Sequence, residues 1–229
     1  MREMPHWKGR LVIEACYARW SGSVGDAAPH RHFAAQAILS TEPLAVVDAS
    51  GARFDGHCLL IEPETVHRLL PAGGAELWFV EPTVGFGPPD ELRTRMAGID
   101  PVQIGPQGAT SFWQRWFGKE AKGVTDPRIA GAVVAVDRLL AVGPVRLADA
   151  AHERGLSLDR FRHLFTAEVG MPFQRYVLWR RLLIAFEALH DGHNITEAAY
   201  AAGFSDSAHL ARTIRAMFGI RASDLDFTA

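Results

Sequence analysis

Hydrophobic and polar positions change rhythm along this chain. Between about residues 10 and 82 the apolar residues fall in short runs, LVIEACYARW, QAILS, LAVVD, HCLLIEP and ELWFVEP, divided by Ser21-Gly22-Ser23, Ser50-Gly51 and Gly73-Gly74. Short apolar runs between turn-forming residues predict β-strands, and many of them with little helix between predict a small antiparallel barrel or sandwich. The punctuation Phe86-Gly87-Pro88-Pro89-Asp90 ends this rhythm. Residues 90–143 predict two helices and a Gly/Pro stretch at 98–108, and from 145 onward nearly everything predicts helix. The expected fold class is a multi-domain α+β chain. Its parts are a β domain over 1–88, a helical linker over 89–143 that offers a dimerisation face, and an all-α domain over 144–229.

The helical part contains a repeat. GLSLDRFRHLFTAEVG at 155–170 returns as GFSDSAHLARTIRAMFG at 203–219. In the first copy Phe161, Leu164, Phe165 and Val169 share one helical face, while Asp159, Arg162, His163 and Thr166 lie opposite. Ser157 stands at the N-cap position, with Asp159 in the first turn where the helix dipole favours an acid. In the second copy Leu210, Ile214, Met217 and Phe218 point inward; Ala208, Ala211, Arg212 and Arg215 point outward. Each long helix follows a short one ended by glycine: LADAAHER before Gly155, and ITEAAYAA, opened by the capping-box pattern Asn194-Ile195-Thr196-Glu197, before Gly203.

Short helix, glycine turn and amphipathic helix make the helix-turn-helix unit, whose second helix enters the DNA major groove. Between the copies, Phe173 to His190 predicts one helix with Leu178, Leu182, Phe186 and Leu189 on a face. At 1.5 Å per residue it spans about 27 Å. That approaches the roughly 34 Å of one DNA turn, so a rod of this length sets two reading faces toward successive major grooves.

Composition bears on the partner. The 229 residues are 48% hydrophobic and 22% charged, enough for real cores, and the net charge of −2 carries no general basic field. Residues 145–229 hold ten Arg, no Lys and ten acids, so DNA affinity requires arginines gathered on one side. The start, MREMPHWKGR, has no apolar segment of the secretory kind and no apolar run reaches membrane-spanning length; a cytoplasmic protein without a membrane partner is expected. Cys16 and Cys58 are read as small buried side chains.

From Arg146 to Leu225 the sequence resembles the DNA-binding domain of AraC/XylS-type transcription regulators, through LADAAHERGLSLDRFRHLFTAEVGMPFQRYVLWRRL and ITEAAYAAGFSDSAHLARTIRAMFGIRASDL. The resemblance implies base-reading roles for Asp159, Arg162 and His163 in the first unit and for Ser207, Ala208, Ala211 and Arg212 in the second. Chemically, Arg162 and Arg212 suit guanine O6 and N7, and Asp159 suits the cytosine amino group. Arg160, Arg175, Arg180, Arg181 and Arg215 are the phosphate-contact candidates. The partners implied are a double-stranded operator, an effector, a second copy of the chain and RNA polymerase. Where the family commonly ends in a Pro-x-x-Tyr-Arg type signature, this chain has Arg221-Ala222-Ser223-Asp224-Leu225.

In the β part, PHRHFAAQ sets His30 and His32 two apart, which places both on one face of a strand; His67 follows 35 residues after His32. This arrangement resembles the cupin barrel, with Gln36 in the place of the metal-binding Glu, and Glu62 and Glu64 where Pro and Gly are common. Three imidazoles and an amide could hold Zn, Ni, Cu or Fe, or could line a metal-free pocket for an organic effector. Trp20, Phe33 and one of Trp78 and Phe79 are candidate walls. SFWQRWFGKEAK at 111–122 concentrates four aromatics that must be covered, on the chain's own barrel or by a second copy.

No nucleophile elbow, phosphate loop or HExxH is present, so no catalysis is expected. The expected function is sequence-specific transcription regulation with a cupin-like sensor of a small molecule or divalent metal. The competing readings are a metal-dependent cupin oxygenase or isomerase with a helical appendage, and a metal-binding module tethered to DNA.

Overall fold

The computed structural model describes residues 7–14, 17–25, 27–82, 84–105, 111–119, 124–140, 142–222 and 225–226. It is a mixed α+β chain with its sheet N-terminal and its helices mostly C-terminal. The strands are β1 (Trp7–Ile13), β2 (Tyr17–Val24), β3 (Ala35–Asp48), β4 (Arg53–Ile61), β5 (His67–Leu69), β6 (Ala72–Val80), β7 (Val102–Ile104) and β8 (Leu225–Asp226). They pair in the order β7-β4-β3-β6-β2-β1-β8, with β5 also on β3. All pairings are antiparallel except β4 with β7 and β1 with β8.

The two apolar runs QAILS and LAVVD belong to one strand, β3, whose register with β4 shifts between Leu39 and Leu44. Ser50-Gly51 forms the expected turn: Asp48 Oδ1 accepts the Ser50 and Ala52 amides at 2.8 and 3.0 Å. The other two turn assignments are corrected. Ser21-Gly22-Ser23 lies inside β2 and Gly73-Gly74 opens β6. In β2 the glycine is required by crowding, since its backbone lies against Lys8 and Gly9 of β1.

Strand alternation divides the core in two. One face contributes Ile38, Leu59, Ile61, Leu77 and Phe79 to an apolar cluster that continues into the C-terminal helices. The other contributes Ala37, Cys58, Leu60, Trp78 and Val80, and is covered by α1 (Asp90–Met96) and α2 (Phe112–Phe117). The aromatics of α2 therefore pack on their own chain: Phe112, Trp113 and Trp116 are buried, and Trp113 Nε1 donates to the Ile61 carbonyl at 3.1 Å. The stretch read as Gly/Pro loop contains β7, and three helices form where two are expected, since α1 precedes α2 and the IAGAVVAVDRLL helix, α3 (Pro127–Leu140). Cys58 is buried, which pushes its thiol up to about 11. Cys16 lies outside the described residues.

The helical part is α4 (Leu147–Glu153), α5 (Leu158–Val169), α6 (Phe173–His190), α7 (Ile195–Ala201) and α8 (Ser207–Phe218). Gly170 ends α5 with φ of 80°, and a side chain there would collide with the Gly85 backbone. The helix α6 is not the exposed rod that its length invites. Phe173, Tyr176, Val177, Trp179, Leu182, Ala185 and Phe186 are all buried, so most of its circumference faces protein.

Candidate functional site

Each long helix of the repeat is anchored by its own residues. Ser157 Oγ accepts the Arg160 amide at 3.3 Å to start α5, and Phe161, Phe165 and Val169 are buried. Asn194 and Glu197 close the expected capping box on α7. Asp206 caps α8 by accepting the His209 amide at 2.6 Å, and Leu210, Ile214, Met217 and Phe218 are buried. Aspartate between two serines was the available signal for this cap, and the repeat alignment hides it because the turns differ in length.

The opposite faces are outward. Asp159, Arg162 and His163 of α5 are exposed, as are Ala208 and Arg212 of α8, with Ser207 and Ala211 half-buried. Arg162 is paired with Asp159 at 2.9 Å, so its guanidinium is presented together with an acid one turn away.

The phosphate candidates separate. Arg160 and Arg215 are exposed. Arg180 is half-buried beside β1, along a groove with Arg10 and Glu14. Arg175 and Arg181 are corrected, because their guanidiniums are committed inward. Arg175 donates to Glu81 at 3.0 Å and lies over the Phe33 ring at 3.9 Å. Arg181 donates to the Ala202 and Gly203 carbonyls and lies over the Phe204 ring at 4.1 Å, tying α6 to the end of α7. Glu81, unremarked in the sequence, is fully buried and accepts from Trp179 Nε1 at 2.8 Å, which joins the sheet to α6.

The histidines converge, though not as a strand would make them. His30 and His67 exchange backbone hydrogen bonds of 2.9 Å in an isolated bridge, while His32 sits on the lead into β3. Each Nδ1 contacts a main-chain carbonyl: Ala28 at 2.9 Å for His30, Ala34 at 2.8 Å for His32, Thr65 at 2.8 Å for His67. A carbonyl only accepts, so each Nδ1 carries a proton. Burial lowers all three pKa values, to about 4 for His32 and about 3 for His67, with neighbouring imidazoles adding to the effect at those two and Arg215 at His30. A neutral ring protonated at Nδ1 has its lone pair at Nε2, and those of His32 and His67 face Gln36. The ligand atoms lie within 4.8 Å of one another, and Gln36 Oε1 is 3.3 and 3.1 Å from Nε2 of His32 and His67. Two arrangements satisfy these facing acceptors: the Gln36 NH2 turned to both rings, or a cation among them.

The helix α8 closes over this cluster. Its cap Gly219 has φ of 70°, and a Cβ there would overlap the His30 ring. The Phe33 amide donates to the Ala216 carbonyl at 3.0 Å. Phe79 touches both His32 and Phe218, at ring separations of 5.6 and 5.2 Å. Of the other expected walls, Trp20 packs on Trp7, Phe33 lies under Arg175, and Trp78 is on the opposite face of the sheet.

A family model described as helix-turn-helix domain matches residues 150–226. This stretch is a helix-turn-helix domain. Over 101 residues, 43% of the chain, the sequence is 34% identical to the transcriptional activator RhrA of Rhizobium meliloti. The chain aligns with about a third of that protein, 32% of its length. Among solved structures, an AraC-type regulator from Chromobacterium violaceum is 28% identical, with a TM-score of 0.39 over 42% of this chain and 85% of that one. ToxT from Vibrio cholerae is 9% identical, with a TM-score of 0.45 over 91% of this chain and 97% of that one. Among the described residues, no helix is long and apolar enough to cross a membrane.

Proposed function

We propose that this chain is a cytoplasmic, sequence-specific DNA-binding transcription regulator of the AraC/XylS type. A cupin-like sensor over 1–88 acts through a linker over 89–143 on the reading domain over 144–229. The observation that carries the proposal is the pair of capped units with outward faces: Asp159, Arg162 and His163 on α5; Ser207, Ala208, Ala211 and Arg212 on α8. Arg160 and Arg180 are the remaining phosphate contacts, and Arg215, which also borders the cavity beside His30, is free for phosphate only while that cavity is empty. A homodimer and contact with RNA polymerase belong to the same reading. Selection from a random duplex library, followed by titration of the selected site, tests it. Arg212→Ala is expected to lose about 1–3 kcal/mol of discrimination between that site and random DNA. Equal losses on both would remove Arg212 from base reading.

The sensed ligand is a divalent transition metal, held by His30, His32 and His67 with Gln36 as a neutral oxygen donor. The converging Nε2 lone pairs support this, as do the carbonyls that fix each ring from behind, the outer support that metal-binding histidines usually have. The antiparallel pairing of β1 to β6 supports the cupin-like reading, and Glu64, where cupins often have glycine, keeps a φ of 59°. Metal in the cluster would bear on α8 through Gly219, Phe79 and the Phe33 amide. Protein purified without chelator is expected to carry about one equivalent of metal by elemental mass spectrometry, and His32→Ala much less. Parent protein that stays metal-free after incubation with Zn2+, Ni2+, Cu2+ and Fe2+ would leave an organic-effector sensor.

A further inference from the structure

The donor set of the histidine cluster returns no negative charge. Imidazole nitrogens and an amide oxygen bind a metal as neutral ligands, so a divalent ion among His30, His32, His67 and Gln36 would keep its full charge in a buried place. Such a charge is strongly unfavourable unless an anion accompanies it. A divalent ion on these four neutral ligands leaves a position for an exogenous group by expanding to five-coordinate.

A cavity of about 170 Å³ adjoins the cluster. His30, Gln36 and His67 form one side, and Phe218, Arg215 and Arg221 the other. No carboxylate lines it among the described residues, and two guanidiniums do. Arg215 and His30 both line this space. The space equals about five or six waters at roughly 30 Å³ each, the size of a two- or three-carbon acid. Its partly apolar wall, including Phe218, favours an organic body over an inorganic ion.

We propose that this cavity binds a small carboxylate, which neutralises and completes the coordination of a divalent ion on His30, His32 and His67 and pairs with the Arg215 guanidinium. This rests on the metal reading above. The arginine belongs to α8, so the anion is shared between the sensing cluster and a helix that reads DNA. Carboxylate and guanidinium match in planar geometry and in charge.

Full-length chain loaded with Co2+ reports on its ligand sphere through visible absorption. Sodium lactate, titrated at constant ionic strength with sodium chloride as balance, is expected to give a saturable spectral change that chloride alone does not. Arg215→Ala is expected to weaken lactate binding roughly tenfold, the loss of one charge-assisted contact, with Co2+ stoichiometry unchanged. Arg215→Lys is expected to recover part of it. Chain that takes up Co2+ but whose spectrum ignores lactate overturns the carboxylate proposal and leaves the metal reading standing. Equal lactate affinity in parent and Arg215→Ala also overturns it. Chain that takes up no Co2+, with or without lactate, overturns the metal reading and this proposal with it.

Discussion

Glu81→Ala is expected to destabilise the chain by about 3–5 kcal/mol, the usual cost of removing one partner from a buried charged pair. The Glu81 carboxylate is fully buried just beyond β6, and α6 supplies both Trp179 Nε1–H at 2.8 Å and Arg175 Nη2–H at 3.0 Å. Alanine leaves a buried indole N–H without its acceptor and a guanidinium, only 28% exposed, without its counter-charge. Glu81→Gln keeps an acceptor oxygen of the same reach and is expected to lose less, about 1–3 kcal/mol. Urea unfolding followed by tryptophan fluorescence and by far-ultraviolet circular dichroism measures both. The two probes are expected to coincide, because sheet and helices share one apolar cluster. A loss under about 1 kcal/mol for the alanine variant would mean that this junction is held by apolar packing alone, with the buried pair contributing little.

The junction also explains what was legible in the sequence. The helical half is legible because each helix declares its own start and stop: Ser157 before α5, Asn194 with Glu197 before α7, glycines after α5 and α8. Those signals are local, and local signals survive without tertiary knowledge. The pairing of β7 with β4 and of β8 with β1 had no such signal, since strands of three and two residues are too short to show alternation. Gly22 and Gly73-Gly74 misled for a related reason. Glycine marks a turn, and it also marks a place where a second backbone comes close.

The histidine cluster was located by spacing but not explained by it. His30 and His32 were expected on one strand face; they converge because His30 bridges His67 and His32 is set by its contact with the Ala34 carbonyl. The arginines show the limit most plainly. In sequence, Arg175, Arg180, Arg181 and Arg215 all read as cations on helices, and nothing in the helical period distinguishes a guanidinium facing phosphate from one facing Glu81 or the end of α7. The deciding partners lie 94 and 21 residues away.

Gly219→Ala is expected to cost about 2–4 kcal/mol, where Gly203→Ala costs about 1–2 kcal/mol. The two glycines have nearly the same backbone, with φ of 70° and 71°, so the left-handed conformation penalises both alanines alike. Their surroundings differ. At Gly203 the new Cβ meets only Arg181 Nε, at 3.9 Å, whereas at Gly219 it overlaps the His30 ring and approaches His32. The excess therefore measures how firmly the end of α8 is seated on the histidine cluster. His30→Ala removes the ring that collides and leaves only the closer approach to His32, so in that background Gly219→Ala is expected to fall most of the way to the cost of Gly203→Ala, a coupling that a double-mutant cycle isolates. Equal costs for the two glycines in the parent would mean that α8 lifts from the cluster at little expense. In that case a ligand among the histidines has no grip on the reading helix, and sensing would have to pass through α6 and Glu81 instead. A large excess that vanishes with the His30 ring makes the position of α8 and the geometry of the cluster one variable, which is what a ligand must act on to change the affinity of a DNA-reading helix.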